Sequence, residues 1–436
     1  MDTIDSAEGS PISAEALNSI IEHEQIITHF QPIISLKSRS LLGVEALSRG
    51  LDGQGKIVPP RTLFAAARSQ GKAVALDRLC RNKAIHQFCC IQTNGQCGRA
   101  PLLFLNFDTS LLDRGVAGSG FLRKQVSRLN VPPSQVIIEI VENQVKDVDA
   151  LGRFIHDYRN QGFIIALDDV GAGYSNLDRI TIIKPDIIKI DRSIISDINR
   201  DYYKQEIFKA LVRLSRKIGT LVLAEGVENI EECLCVLNYD ADLLQGFFFA
   251  KPAALLSIFS AELNGIASHT ADRFREWKIN KIKKISDQYR TFHEIIEGIQ
   301  STLAVNLQDR FETILKTVIE DLPLVEAVYI LDKNGIMVTN TVLRKCWQAK
   351  PNMLFQKAEQ GDNLSLKEYF YLIMSAGLPN YVTDSYISWA TGNLTRTISA
   401  SFKGLSENMY VLCIDILVDP LFDNGSYGDE KRPVSL

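Results

Sequence analysis

Polar side chains stand at or near the ends of a series of short apolar segments, and together they could do metal-dependent chemistry. In chain order they are Glu45, Asn106, Glu139, Asp168 with Asp169, Lys189, Glu225 and Gln245. If the segments are strands of one barrel, their carboxyl ends meet and these side chains converge. Buried carboxylates in one space would repel one another without a cation. Oxygen ligands suit Mg²⁺ or Mn²⁺ better than zinc, so the pattern predicts a site for such an ion.

The neighbouring carboxylates of Asp168 and Asp169 could also hold a second ion. Two metal ions roughly 3.5–4 Å apart stabilise the attacking and the leaving oxygen in phosphoester hydrolysis. Arg49 follows the second apolar segment and could bind a phosphate through its planar guanidinium group. Gly171 and Gly173 come after the aspartate pair, and we expect a mobile loop there. The predicted chemistry is therefore hydrolysis of a phosphoester.

Each of these residues, taken alone, has a simpler explanation. Glu45 or Glu139 could be an exposed carboxylate at a strand end, and Asp168 could cap the next helix. Glu225 could belong to a simple turn, and Lys189 could be an ion-pair partner. Lys189 could also be the Schiff-base nucleophile of an aldolase, but surrounding carboxylates would hold it protonated. The joint placement of these residues at strand ends favours the metal site.

The elements that must position these residues alternate between strand and helix. The predicted strands are 30–35, 42–47, 102–106, 136–140, 164–168, 187–190, 221–224 and 242–246. Longer helical segments separate most of them, and this alternation predicts an α/β fold, a (β/α)₈ TIM-type barrel. Only about six residues separate the first two strands, too few for a helical crossover, so we expect an antiparallel first strand.

Composition limits the possible classes of function. The 436 residues are 46% hydrophobic with a net charge of −4, which indicates a globular protein and argues against binding to a nucleic acid polymer. No apolar stretch reaches the roughly 18 residues of a membrane span. The acidic N-terminal segment lacks the apolar region of a signal peptide, so we expect a cytoplasmic protein. The eight cysteines include no C-x-x-C pair, which argues against zinc.

The chain is predicted to hold two domains joined by a helix. The divisions are an N-terminal tail at 1–14, the barrel at 15–262, a connector helix at 263–305, a smaller α+β domain at 306–418 and a disordered tail at 419–436. Apolar residues from Ile282 to Leu303 recur at spacings of three and four, as in a coiled-coil seam. The helix could dimerise along this seam or pack it against its own domain. In the smaller domain, 395–402 and 409–416 predict an antiparallel strand pair.

The first domain also carries a set of ordered sequence blocks that match one known family. The signature triplet stands at Glu45-Ala46-Leu47, followed by Arg49. The other blocks are Gln31-Pro32, Leu105-Asn106, Glu139-Ile140-Val141-Glu142, Leu167-Asp168-Asp169-Val170-Gly171, Lys189-Ile190-Asp191, Ala224-Glu225-Gly226-Val227-Glu228 and Gln245-Gly246. Over roughly residues 15–262 the sequence therefore resembles EAL-domain cyclic di-GMP phosphodiesterases.

The resemblance implies hydrolysis of one phosphodiester bond of cyclic di-GMP, giving linear pGpG, with one or two Mg²⁺ or Mn²⁺ ions. It implies that Glu45, Asn106, Glu139 and Asp168 bind the first ion, and that Asp168 and Asp169 bind the second. The remaining implied roles are Glu225 as general base or metal ligand, Lys189 and Gln245 in positioning the attacking water, Arg49 and Gln31 in substrate contact, and Glu142 as the anchor of the glycine-rich loop. A homodimer is implied as well.

Some positions depart from the family pattern, and none of them is an implied metal ligand. Val141, Val170, Ala172 and Phe247 replace the usual Thr, Phe, Thr and Tyr, in or near the loop that couples dimer state to metal binding. The departures concern rate and regulation. They leave a second hypothesis, in which the chain is a cyclic di-GMP receptor with little or no turnover.

The C-terminal domain resembles PAS or Cache sensor domains in the segment 384–392. The resemblance implies a small-molecule ligand in a pocket beside the sheet. Tyr381, Tyr386 and Trp389 are candidate pocket residues, with core packing as the alternative for each. We expect such a domain to regulate the barrel through dimer geometry and the connector helix.

Overall fold

The computed structural model describes residues 12–92, 101–108, 120–141, 147–173, 178–254, 261–345 and 356–418. The chain divides into two compact units, Met1–Lys278 and Ile279–Leu436. No helix in the described part of the chain has both the length and the hydropathy of a membrane-spanning segment.

The strands of the first unit form one sheet that closes into a barrel. They are β1 (Ile26–Ser35), β2 (Ser40–Leu51), β3 (Ile57–Val58), β4 (Leu102–Phe107), β5 (Val136–Val141), β6 (Ile164–Val170), β7 (Ile187–Ile190), β8 (Leu221–Ala224) and β9 (Leu243–Leu244). Their order is β1-β9-β8-β7-β6-β5-β4-β2-β3, and a further pairing of β1 with β2 closes the ring. The predicted barrel with an antiparallel first strand is confirmed, since β1 is antiparallel to both β2 and β9.

Several predicted strands differ in length from the observed ones, and two of these differences affect residues of the polar cluster. The second strand continues to Leu51 and does not end near Glu45, because its outer part pairs with β1 as far as Ile26 and with the short strand β3. The last strand is reduced to Leu243–Leu244, and Gln245 follows it directly. Glu45 is therefore a residue in the middle of a strand.

Helices cover the outside of the barrel. In the described part of the first unit they are α1 (Ala14–Glu22), α2 (Pro60–Ser69), α3 (Ala73–Gln92), α4 (Phe121–Arg128), α5 (Val148–Asn160), α6 (Asp178–Ile183), α7 (Arg192–Ile195), α8 (Tyr202–Ile218) and α9 (Ile230–Asn238). Their ends follow local chemistry, as α8 shows. The Asp201 carboxylate accepts hydrogen bonds from the backbone N–H groups of Tyr203 and Lys204, and Gly219 ends the helix with a φ of 76°.

Alternation along the strands fills the barrel interior in layers, because side chains two residues apart point to the same face. One apolar layer forms the floor and consists of Ile33, Phe104, Ile137, Ala166, Ile187, Leu223 and Leu243. On β2 the equivalent position is Gly43, where an added Cβ would lie 2.6 Å from the Leu102 carbonyl oxygen and 3.0 Å from the Phe104 ring. The next layer is polar: it consists of the residues two positions after the floor on the parallel strands and of Gln31, two positions before Ile33, on the antiparallel β1.

The second unit is built on a six-stranded sheet. Its elements, together with the long helix that begins before Ile279, are α10 (Ala261–Ala304), α11 (Phe311–Val318), β10 (Val325–Asp332), β11 (Val342–Leu343), α12 (Glu368–Met374), β12 (Asn380–Val382), β13 (Tyr386–Ile387), β14 (Leu394–Lys403) and β15 (Met409–Leu417). The sheet order is β11-β10-β15-β14-β12, and β13 pairs with β14. The predicted antiparallel pair corresponds to β14 and β15, whose register runs from Thr395 opposite Leu417 to Lys403 opposite Met409.

The heptad seam of α10 is divided between two environments. Ile296, Ile299 and Leu303 are buried in the core of the second unit with α11 and one face of the sheet. Ile282 and Tyr289, earlier on the same seam, are 55% and 51% exposed. The seam thus packs on its own domain in its C-terminal part and is open in its N-terminal part.

The opposite face of the second sheet carries aromatic and polar side chains. The Tyr329 and Tyr369 hydroxyls lie 2.8 Å apart, and the Tyr386 hydroxyl lies 2.6 Å from Thr397 Oγ1. Tyr381 is half-buried against the same face. Trp389 is 68% exposed. The alternative that Trp389 packs in the core is therefore wrong.

The buried carboxyl group of Asp415 lies on this face, and its raised pKa predicts that the stability of the second unit depends on pH. Burial raises the pKa of Asp415 to about 7; the Thr397 hydrogen bond lowers it, the Glu326 charge raises it, and Tyr386 and Lys367 lower it. An unfolded aspartate has a pKa of about 3.9, so between pH 4 and 7 the folded state binds the additional proton. Stability should therefore fall as pH rises through this window and level off above it.

The Asp415→Asn variant is expected to remove this slope and to be more stable than the wild type at pH 8. Thermal unfolding of both proteins from pH 4 to pH 8 checks the prediction, with the exposed Asp384→Asn as the matched control. Parallel curves for Asp415→Asn and wild type would contradict it.

Candidate active site

The polar layer at the carboxyl-end mouth of the barrel brings together most of the residues singled out from the sequence. Glu45, Glu139, Asp168, Lys189 and Gln245 are all buried there. They come from β2, β5, β6, β7 and the residue after β9. These residues, which the sequence pattern placed at strand ends, are therefore close together in space, although they are spread from Glu45 to Gln245 along the chain.

Lys189 lies at the centre of the cluster, with its side chain 1% exposed. Its Nζ atom is 2.6 Å from Glu139 Oε1, 2.9 Å from Asp168 Oδ1 and 2.7 Å from Glu225 Oε1, and 3.8 Å from Glu45 Oε2. Burial by itself lowers the pKa of Lys189, but the four carboxylates raise it well above its ordinary value. A protonated ammonium group is not a nucleophile, which argues against Schiff-base chemistry.

Two amide side chains hold Glu45 in place. Asn106 Nδ2 donates to Glu45 Oε1 at 3.1 Å, and Gln245 Nε2 donates to Glu45 Oε2 at 2.6 Å. Gln245 Nε2 also lies 3.2 Å from Gln31 Oε1, and the Gln31 amide donates to the Ala250 carbonyl at 3.2 Å. The donors fix both carboxylate oxygens of Glu45 and leave the Asn106 carbonyl oxygen available as a ligand atom.

A backbone irregularity lets two consecutive aspartates reach the same site. Successive residues of a regular strand point to opposite faces. The pairing of β6 with β7 shifts register between Leu167 and Val170, and Asp169 has a φ of 58°. One carboxylate oxygen each from Asp168, Asp169 and Glu225 therefore lies within 4.8 Å of the other two. The left-handed backbone at Asp169 is what turns its carboxylate toward the other two.

The cluster fits a divalent cation. Four carboxylates surround a single ammonium group, and Glu139 Oε2 is buried with no hydrogen-bond partner among the described residues. Burial raises the pKa of Glu139 and of Glu225 well above the ordinary value, and the neighbouring Glu45 and Asp168 raise it further against the effect of Lys189. Burial and Asp168 raise the pKa of Asp169 to about 6. Mg²⁺ and Mn²⁺ prefer oxygen ligands such as these carboxylates, and a bound ion would offset their mutual repulsion.

A cavity of about 380 Å³ opens beside the cluster. Glu45, Asn106, Asp168 and Asp169 line one part of its wall, and Arg49 lines another. Gln31, expected to contact substrate, lies in the polar layer and is bonded to Gln245. Glu142, the expected loop anchor, lies outside the described residues.

The sequence reasoning missed a second group of residues in the cavity wall. Arg61, Phe64 and Arg68 come from α2, and Asp77 and Arg81 come from α3. The available signal was helical spacing: residues 61, 64 and 68 share one helix face, and 77 and 81 are separated by one turn. Only the packing of α2 and α3 against the open mouth shows that these faces border the site.

Comparison with known proteins places this geometry in a family. The profile of the EAL domain matches residues 14–252. The chain belongs to the EAL domain family. This EAL domain is 29% identical over 251 residues to the probable cyclic di-GMP phosphodiesterase PdeG of Escherichia coli (strain K12), a match that covers 56% of this chain and 48% of PdeG. The chain thus spans about half the length of PdeG.

A second relative matches almost end to end. The uncharacterized EAL-domain containing protein YkuI of Bacillus subtilis (strain 168) is 23% identical over 420 residues, which covers 94% of this chain and 98% of YkuI. The crystal structure of YkuI with c-di-GMP and calcium superposes with a TM-score of 0.75 at 22% identity, over 92% of this chain and 98% of YkuI. At this identity the likeness shows the fold.

Proposed function

We propose that the chain hydrolyses one phosphodiester bond of cyclic di-GMP to give linear pGpG, with Mg²⁺ or Mn²⁺ as cofactor. The observation that carries the proposal is the buried polar layer, in which four carboxylates surround Lys189 and one oxygen of Glu139 has no partner. PdeG, a relative of the EAL domain, is named a probable cyclic di-GMP phosphodiesterase, which supports the choice of substrate.

Each side chain of the layer has a role that follows from its position. Glu45, Asn106, Glu139 and Asp168 would hold the first ion, and Asp169 would hold a second with Asp168. A divalent ion there supplies charge stabilisation to a phosphoryl oxygen and acidifies water. Glu225 Oε1, 2.7 Å from Lys189 Nζ, either accepts the proton of the attacking water or adds a metal ligand.

The remaining residues position and bind. Lys189 holds Glu139, Asp168 and Glu225 with its three ammonium N–H groups, at 2.6–2.9 Å, and would orient the attacking water through Glu225. Gln245 acts through the Oε2 atom of Glu45, at 2.6 Å. Arg49 binds the phosphate from the cavity wall. Gln31 supports substrate contact through Gln245, and Glu142 as the loop anchor stays a prediction from the sequence.

Hydrolysis of cyclic di-GMP by the purified full chain tests the proposal. We expect pGpG to form with Mg²⁺ or Mn²⁺, and we expect Glu45→Ala to lower the rate by about 10³-fold or more, because it removes a ligand that two amides hold in place. Glu22→Ala, an exposed glutamate at the end of α1, is the matched control. Absence of pGpG with every metal would overturn the proposal.

A receptor is the second candidate function. Val170 follows Asp169 directly, and the backbone N–H of Ala172 donates to the Asp169 carbonyl oxygen at 3.2 Å, so a slow or inactive site with intact binding is a physical alternative. It predicts that cyclic di-GMP binds in the presence of Ca²⁺ and that no pGpG forms with Mg²⁺ or Mn²⁺. The same preparation of wild-type protein therefore decides between the two candidates.

Regulation by the second unit is a further part of the proposal. We assign residues 15–262 to the catalytic domain, 263–305 to a connector and 306–418 to a PAS- or Cache-like sensor that binds a small molecule. The exposed seam residues Ile282, Ile285 and Tyr289 would pair with a second copy of the chain, because apolar residues at spacings of three and four form coiled coils. The dimer would transmit the sensor state to the barrel.

Oligomeric state and turnover of Ile282→Glu test this part. We expect the variant to be monomeric by light scattering and to show a changed hydrolysis rate. Asn280→Glu, exposed on the opposite side of the same helix, introduces the same charge and should leave both unchanged. A wild-type protein that is monomeric at micromolar concentration would contradict the dimer.

A further inference from the structure

The cavity beside the metal cluster is larger than one phosphodiester needs. Its volume of about 380 Å³ lies in the range of sites for small-molecule ligands. The metal cluster and Arg49 account for the bond that is cleaved, whereas a cyclic dinucleotide brings a second phosphate and two bases. The cavity wall formed by α2 is therefore the part of the site whose occupant is unassigned.

The arginines that α2 and α3 contribute to the cavity wall differ in whether an acidic side chain pairs with them. Arg81 is buried, lies 2.5 Å from Asp77, and has its guanidinium carbon 4.4 Å from the centroid of the Phe107 ring. Arg68 lies 3.5 Å from Asp108. Arg61 is exposed and has no ion pair within the described part of the chain, so its guanidinium group can take a ligand phosphate.

Helix α2 holds Arg61 and Phe64 on a rigid support. The helix starts with Pro59 as the N-cap and Pro60 as its first residue, which fixes the backbone just before Arg61. Leu63 and Ala67, on the other face, are fully buried in a cluster with residues of α1 and α3. Phe64 is half-buried and lies one turn after Arg61, so a cation and an aromatic ring face the cavity side by side.

We propose that Arg61 and Phe64 bind the guanylate half of the cyclic dinucleotide that is not cleaved. Arg61 contacts the second phosphate, and Phe64 stacks against a base, the pairing of cationic and aromatic groups that proteins use for nucleotides. The inference rests on the proposed function for the identity of the substrate. It adds two substrate-contacting residues that set affinity and do not touch the reacting phosphate.

Two substrates separate this role from a general structural effect. Cyclic di-GMP needs both halves of the site, whereas bis(p-nitrophenyl) phosphate offers a single phosphodiester and no second phosphate. We expect Arg61→Ala to raise the KM for cyclic di-GMP about tenfold, with kcat within twofold of the wild type and hydrolysis of bis(p-nitrophenyl) phosphate unchanged. Phe64→Leu, which keeps an apolar side chain in the α2 packing, should raise KM by a smaller factor.

The affinity for cyclic di-GMP with Ca²⁺, measured by calorimetry, gives a readout that does not depend on turnover. We expect the Kd to rise about tenfold in Arg61→Ala and to be unchanged in Arg213→Ala, an exposed arginine of α8 outside the cavity wall. If wild-type protein binds but does not turn over, the proposed function fails and the difference in Kd still supports the inference. Equal Kd for Arg61→Ala and Arg213→Ala, or an equal loss on both substrates, would overturn it.

Discussion

Replacement of Lys189 by methionine is expected to lower the stability of the metal-free protein by about 3–5 kcal/mol. The reason is the loss of the one cation among four carboxylates, three of which lie within 2.6–2.9 Å of its Nζ atom. Methionine fills a similar volume, so the change isolates the charge. For a domain of this size the melting temperature should fall by roughly 10 °C.

Calorimetry in a chelator measures this effect, with Lys217→Met at the exposed end of α8 as the control. Added Mg²⁺ or Mn²⁺ should restore part of the lost stability to Lys189→Met, because a divalent ion supplies the missing positive charge. Hydrolysis should stay at least 10²-fold below the wild-type rate, since the residue that orients water is absent. A melting temperature equal to that of Lys217→Met would show that the carboxylates do not depend on Lys189.

The site could be predicted from the sequence to the extent that it depends on strand periodicity. Asn106, Glu139 and Lys189 each follow a buried apolar residue of the barrel floor by two positions, as Ile137 precedes Glu139. A period of two places such pairs on one face, and the parallel strands bring the faces together. The placement of Glu45 at a strand end is wrong, because its strand runs on to Leu51; the residue still joins the cluster, since alternation puts it on the same face as Gly43 of the barrel floor.

Other features depended on tertiary structure that no local pattern contains. The inward position of both Asp168 and Asp169 needs the register shift of β6 against β7 and a left-handed backbone at Asp169. Neither is visible in an apolar segment that ends in two aspartates. The role of α2 in the cavity wall likewise depends on where its packed face, with Leu63, docks. The seam of α10 has one spacing throughout, yet only its C-terminal part is buried in the core of the second unit.

Replacement of Glu139 by glutamine is expected to lower turnover while leaving the stability of the metal-free protein intact, whereas Lys189→Met lowers both. Glu139 is fully buried, and one of its oxygens has no hydrogen-bond partner in the described structure. Glutamine keeps the shape and an oxygen for Lys189, and it removes one of the carboxylates that repel one another. Metal-free stability should therefore stay within about 1 kcal/mol of the wild type or rise.

Function should nevertheless fall steeply in Glu139→Gln, because a neutral amide binds a divalent ion far more weakly than a carboxylate. We expect turnover to drop by about 10³-fold and the rise in melting temperature on adding Mn²⁺ to shrink. Glu326→Gln is a close control: Glu326 is also fully buried, and one of its oxygens accepts from Asn393 at 2.6 Å while the other has no partner, but it lies in the second unit. That variant should keep wild-type turnover. Wild-type turnover in Glu139→Gln would show that Glu139 is not a metal ligand. A loss of stability as large as that of Lys189→Met would show that the carboxylates of the polar layer do not repel one another strongly in the metal-free protein.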